Sequence, residues 1–226
     1  MLSDQILTFY QSLKITAEIP KNVKVLNPFQ NPDTMQAVTD FYQKFYADQN
    51  ERIMLMGINP GRFGAGITGI PFTDPIRLEE ACGIPNNFQK KPELSSGFIY
   101  EMIDTYGGVR NFYNNFFVSA VSPLGFTLDS KNLNYYDLPV LQQALLPFIT
   151  NTIEQQLEMG MNRKVCFSLG MGKNYKFLKD MNSKKHYFKQ IIPLGHPRWI
   201  MQYRLRKKKE FIQEYVDKLR KYTKQS

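Results

Sequence analysis

The chain has 226 residues, and its 42% hydrophobic content is enough for one sizeable core; single domains of roughly 200–250 residues are common. Lys and Arg number 29 against 20 Asp and Glu, a net charge of +9, which favours a polyanionic partner because neutralising phosphates releases counterions. Cys82 and Cys166 have no C-x-x-C spacing, so on their own they exclude an iron–sulfur cluster and a four-cysteine zinc site, and they read as buried reduced thiols. The opening MLSDQILTFYQ carries Asp4 and no basic segment, unlike a signal peptide, and no apolar run is long enough to span a bilayer. A cytoplasmic location is expected.

In chain order, Asp4–Leu13 and Thr34–Phe45 carry apolar residues at helical spacing. Arg52–Met56 is a short apolar run ending at glycine and predicts a buried strand. Phe116–Val121, Lys164–Leu169 and Lys189–Leu194 predict three more. Helical patterns lie between them, over Phe98–Tyr106, Asp137–Glu158 and Asn174–Met181. Strands alternating with helices imply an α/β domain with a largely parallel sheet. No linker divides the chain, so one domain is expected over 1–226. The last helix is expected over Gln202–Tyr222, with Leu205, Ile212, Tyr215, Val216, Leu219 and Tyr222 as its apolar stripe and a basic opposite face.

Ligands of open parallel sheets sit beyond the carboxyl ends of the strands. The four strand candidates end in GINPGRFG, SPLGF, GMGKN and GHPRW, and these loops are expected to meet at one site. GAGITG, Gly64–Gly69, matches the dinucleotide pattern literally, but it lies eight residues beyond Met56 and runs into Pro71 and Pro75. It should open a helix directly after a strand, so a nucleotide-cofactor site is rejected. Instead, glycines let backbone approach a flat ligand, Asn59 offers an amide, and Phe72 offers a ring for stacking on a nucleobase. A tight glycine loop with Phe72 in the core fits these residues equally well.

His196 stands at a strand end in a Gly-His-Pro turn beside the single tryptophan, Trp199, which marks it as a candidate site residue. His186, in a Lys-rich stretch, reads as surface. Arg198, Arg204, Arg206 and Lys207–Lys209 form a basic run just beyond His196, placed for phosphate contact.

With these pieces in order, the chain resembles the uracil-DNA glycosylase superfamily, in its single-strand-selective monofunctional branch. That branch has a first motif of the form G-M-N-P-G-x-F-G-x-x-x-T-G-x-P-F. Gly57, Asn59, Pro60, Gly61, Phe63, Gly64, Thr68, Gly69, Pro71 and Phe72 match it at the same spacing, and His196-Pro197 match the start of the second motif. Weaker support comes from ELSSG (Glu93–Gly97), FFVSAVSPL (Phe116–Leu124) and FSLGMG (Phe167–Gly172). The likeness covers Arg52 to Met201.

The resemblance implies a four-stranded sheet flanked by helices. It implies hydrolysis of the N-glycosidic bond of a flipped uracil in DNA, without metal or cofactor. Separately, a monomer is expected. Asn59 would hold the attacking water, and His196 would stabilise charge on uracil O2. Phe72 would stack on the base, and backbone near Ile58 would contact it. Apart from the resemblance, the basic run makes Arg198, Arg204, Arg206 and Lys207, with Trp199 among them, the expected DNA contacts. Ala120 stands where the family has the asparagine that reads the uracil edge, and Ser122, two residues on, is the expected substitute. The second motif continues Arg198-Trp199 where the family has Ser-Pro. Gly61 is expected to leave open space beside the base C5, admitting 5-hydroxymethyluracil. The alternatives are an inactive nucleic-acid-binding protein of the same fold and a glycosylase for another deaminated base, such as hypoxanthine or xanthine.

Overall fold

The computed structural model describes residues 1–223; residues 224–226 of the expected 1–226 domain lie outside that description. The chain opens with α1 (Leu2–Ser12), β1 (Val23–Leu26) and α2 (Pro32–Tyr46). Local chemistry sets the start of α2. Asn31 Oδ1 accepts from the Asp33 and Thr34 N–H groups, and Pro32 takes the first helical position, where no N–H is needed. Next come β2 (Ile53–Gly57), the single turn α3 (Ala65–Thr68), α4 (Pro75–Glu80), α5 (Leu94–Tyr106) and α6 (Val109–Asn115). They are followed by β3 (Phe116–Ala120), β4 (Gly125–Leu128), β5 (Lys131–Leu133) and α7 (Pro139–Glu158). The chain ends with β6 (Val165–Leu169), α8 (Lys173–Lys185), β7 (Gln190–Leu194), α9 (Pro197–Tyr203) and α10 (Lys208–Arg220).

The four expected strands form one parallel sheet in the order β3-β2-β6-β7. Every residue of β2, β3 and β6 is buried. Helices cover both faces of such a sheet, which is why these runs are continuously apolar rather than alternating. β7 is one of the two edge strands and carries Pro193, a residue that cannot donate to a ladder and is tolerated at an edge. From β2 the chain crosses to β3 on one side and later returns to β6 on the other. The strand order therefore reverses at β2, and the crevice beyond its carboxyl end is where a ligand site is expected.

A second sheet, antiparallel with order β1-β4-β5, was not foreseen from the sequence. Its strands are only 3 or 4 residues long, too short to show a period. The β4–β5 hairpin turns through Asp129 and Ser130, both at positive φ (47° and 58°), the geometry of a type I′ turn. An Asp-Ser pair lacks the glycine that usually announces such a turn.

The expected terminal helix over Gln202–Tyr222 is corrected. α9 ends at Tyr203, a 3-10 turn spans Leu205–Lys207, and α10 begins at Lys208. Leu205 leaves the apolar stripe and is 58% exposed, whereas Ile212, Tyr215, Val216 and Leu219 are buried. Both α9 and α10 pack on α5, so the chain must turn between them. No helix among the described residues is long and apolar enough to cross a membrane.

Candidate active site

A cavity of about 460 Å³ opens beyond the carboxyl ends of β2 and β3, a size typical of small-molecule sites. Gly57–Gly61, Phe72, Ala120 and His196 line it, so the loop after β2, the end of β3 and the turn after β7 meet as expected. Two expected contributors do not arrive in full. The SPLGF loop reaches the cavity only through Pro123, and no residue of GMGKN lines it. That loop lies beneath: the Cβ position at Gly170 is 3.9 Å from the His196 ring, and Asn174, buried, donates toward the Met56 and Gly57 carbonyls at 3.4 Å each.

Asn59 is held on both sides of its amide. Nδ2 donates to the Pro60 and Leu133 carbonyls at 3.2 Å each, and Oδ1 accepts from the Tyr135 N–H at 3.0 Å. These partners fix which end is oxygen. An amide oxygen has two lone pairs, so one remains for a further donor on the cavity side.

Phe72 has φ +54°, a strained conformation for a bulky side chain. The turn that imposes it is tied by Thr68, whose buried Oγ1 accepts from the Ile70 N–H at 3.2 Å and donates to the Thr73 carbonyl at 2.7 Å. The ring lies against the end of β2. A Cβ at Gly57 would sit 2.8 Å from Phe72 Cε2, so only glycine admits the ring there. The ring is half-buried and its centroid is 6.1 Å from that of His196, leaving a slot beside the two rings. Phe72 is therefore neither a core residue nor free in solvent.

His196 caps α9, its Nδ1 accepting from the Arg198 N–H at 3.2 Å. An acceptor at Nδ1 leaves the proton of a neutral imidazole on Nε2. Burial, helped by the Arg198 charge, pushes its pKa down to about 4, so the ring is neutral at physiological pH.

Two expected site features are corrected. Ser122 does not line the cavity: β3 ends at Ala120, the alternation stops, and the buried Ser122 hydroxyl donates to the Leu124 carbonyl at 2.7 Å. Its N–H donates to the Ile58 carbonyl at 3.1 Å, which fixes the loop backbone instead. The space beside Gly61 is open only in part: the glycine lines the cavity, but the Asn132 amide shares that space. A Cβ there would meet Asn132 Nδ2 at 2.9 Å, because the β4–β5 hairpin folds over the loop.

Arg198 lines the rim of the cavity. Trp199 is 39% exposed, with the Arg204 guanidinium 4.9 Å from its ring centroid, and Arg206 and Lys207 are exposed on the following turn. Lys208, in the same run, is engaged with Glu101 at 2.7 Å.

Sequence reasoning missed Asn132 and Asn134 from the hairpin, the Lys91–Ser95 segment before and into α5, and Tyr10 and Phe29 from the first thirty residues, all of which line the cavity. No periodic signal marks them, because each arrives through long-range packing. Cys82 and Cys166 are both buried and free, and burial raises both thiols above their ordinary range.

The model for the uracil DNA glycosylase superfamily matches residues 43–220 of the chain. Among solved structures, the wild-type SMUG2 of Pedobacter heparinus is similar at a TM-score of 0.95 and 43% identity, covering 97% of each chain. A search of curated proteins finds no match.

Proposed function

From the premise that the chain belongs to the uracil-DNA glycosylase superfamily, and is a DNA glycosylase of that family, we propose that it removes uracil from DNA and leaves an abasic site. One observation carries the reading. An amide with a free lone pair, an aromatic ring and a neutral imidazole border one cavity: Asn59, Phe72 and His196.

In this reading the uracil leaves the base stack and enters the slot against Phe72. Its ring stacks there, a contact worth about 1–3 kcal/mol for a base on an aromatic side chain. The spare lone pair of Asn59 Oδ1 accepts from a water and aims its oxygen at the sugar C1′. The water oxygen bonds to C1′ as the C1′–N1 bond breaks, and the electron pair leaves with the base, spread over N1, O2 and O4. His196 Nε2–H donates to O2 and stabilises that charge. The proton shed by the water ends on solvent or on the departing uracil. An amide cannot remove a proton, so the rate comes from positioning and charge stabilisation rather than base catalysis.

A neutral His196 suits this role. A neutral imidazole keeps its Nε2–H as a donor and adds no buried charge to desolvate, and its Arg198 N–H bond keeps that donor on the cavity side. The exposed run Arg198, Arg204, Arg206 and Lys207 supplies phosphate contacts beside the rim, with Trp199 among them. We extend the proposal to 5-hydroxymethyluracil, whose hydroxyl can accept from the Asn132 amide beside Gly61. A thymine methyl cannot, and it would strip water from that amide without return.

The test is a labelled oligonucleotide carrying a single uracil, followed by alkaline cleavage of abasic sites. Parallel oligonucleotides carry 5-hydroxymethyluracil, thymine, hypoxanthine or xanthine. Strand breakage at uracil is expected. Intact uracil strands beside cut hypoxanthine or xanthine would move the assignment to those bases; binding with no cutting of any would make the protein a non-catalytic binder.

A further inference from the structure

We propose that Asn132 selects the base, its side-chain NH₂ donating to a ring carbonyl oxygen of the nucleobase in the cavity; this rests on the glycosylase reading above. A base-specific site needs a fixed polar partner for the base edge, and the strand ends do not supply one. Ala120 presents a methyl group. The Ser119 hydroxyl is committed to Gln156 and the Ser122 hydroxyl to the Leu124 carbonyl. Asn59 spends its amide on Pro60, Leu133 and Tyr135.

Asn132 is placed to act. It lines the cavity from β5, and its register is set by pairing with Thr127 of β4. Leu133 beside it is buried, so Asn132 and Asn134 fall on the cavity face. Its Nδ2 lies against Gly61, where a Cβ would be 2.9 Å away, so the glycine opens the floor for this amide. Its Oδ1 accepts from the Arg62 N–H at 2.9 Å. That bond holds the oxygen on the backbone and leaves the NH₂ as the free end, so the amide faces the cavity as a donor. The next residues of the same segment clamp Asn59, through the Leu133 carbonyl and the Tyr135 N–H. The segment that carries the reader thus also orients the water-holder.

A donor in that position sorts bases by chemistry. Uracil offers carbonyl oxygens; cytosine offers an exocyclic NH₂ at the same ring position, which would face the Asn132 NH₂ donor to donor. Asn132 is exposed in the free protein, and a base seated on it takes its NH₂ out of water, so a donor left facing a donor there would count strongly against the wrong base. The selected class is therefore keto bases, the products of deamination, over their amino parents.

The experiment compares wild type, Asn132→Ala and Asn132→Asp on uracil and cytosine oligonucleotides in single turnover at saturating enzyme. Binding to an oligonucleotide with a tetrahydrofuran abasic analogue is measured alongside. Asn132→Ala is expected to slow uracil excision roughly 10–100-fold, the loss of one hydrogen bond to developing charge. Asn132→Asp still accepts from Arg62 but turns the cavity end into an acceptor. It should fall further on uracil and gain detectable cutting of cytosine. Abasic-analogue binding should stay within about two-fold in both, since that DNA has no base edge to read. A wild-type uracil rate in Asn132→Ala, or equal loss of abasic-analogue binding in both variants, would overturn the inference while leaving the glycosylase reading intact. If wild type cuts no keto base, the glycosylase reading fails and the inference with it.

Discussion

The Tyr135 backbone N–H donates to Asn59 Oδ1 at 3.0 Å, so a hairpin outside the central sheet orients the amide at the end of its central strand. The Tyr135 hydroxyl in turn donates to Asn174 Oδ1 at 3.0 Å, and Asn174 reaches back toward the Met56 and Gly57 carbonyls. The loop after β2 is thereby fixed from above and below.

Replacing Asn59 by Ala should cut uracil excision by roughly 10²–10³-fold, the scale of losing one positioned polar group. It also removes the amide's bonds to the Pro60 and Leu133 carbonyls and to the Tyr135 N–H, so stability should fall by about 1–3 kcal/mol. Thermal melting and single-turnover excision on the same preparation separate the two effects. A folded Asn59→Ala enzyme with the wild-type rate would remove Asn59 from the mechanism.

His196 should titrate near pH 4 rather than near the ordinary histidine value. The folded pKa is depressed, so the unfolded chain takes the proton first as pH falls. The stability that the neutral ring contributes is therefore fully present above about pH 6.5 and drains away as pH drops towards 4. Excision should show no inflection near 6.5 from this group. Imidazole NMR on a His186→Gln background isolates the signal, and a midpoint near 6.5 would contradict the burial argument. His196→Ala should slow chemistry at saturating enzyme more than it weakens binding.

Gly57→Ala would put a methyl 2.8 Å from the Phe72 ring, and that ring cannot retreat freely from its positive-φ turn. Such overpacking should cost about 1–3 kcal/mol of stability. Displacement of the ring should also weaken uracil excision by roughly ten-fold or more, as weaker stacking implies. Phe72→Leu should reproduce the activity loss with less effect on melting temperature. Full activity in both variants would show that the base does not stack there.

Replacing Arg204, Arg206 and Lys207 together by Ala should weaken binding to all DNA sequences alike. The salt dependence should become shallower, by about 0.9 in the log–log slope for each duplex phosphate that is no longer neutralised. Lys208→Ala should do less, because its ammonium already pairs with Glu101. Affinity measured over a salt series decides; an unchanged slope would make the run a solvated surface.

The sequence by itself determined the parallel sheet and the reaction family. Each central strand is buried on both faces, so a short apolar run between helical patterns has few other places to go, and the strand ends then locate the site. Asn59 and His196 were legible for that reason, each two residues beyond a strand end; Phe72, far along the loop after β2, was legible only through the motif that ends on it. What only the tertiary structure decided depends on segments with no local period. The β4–β5 hairpin carries Asn132 to Gly61 and clamps Asn59, yet its strands are three and four residues long and its turn lacks glycine. Ser122 turned away because the strand ended before it, which alternation alone cannot reveal. Leu205 matched the helical stripe but fell where the chain must bend to lay α9 and α10 on α5. Local patterns state which face of an element wants burial; how two distant elements share one cavity is settled only when their backbones compete for the same space.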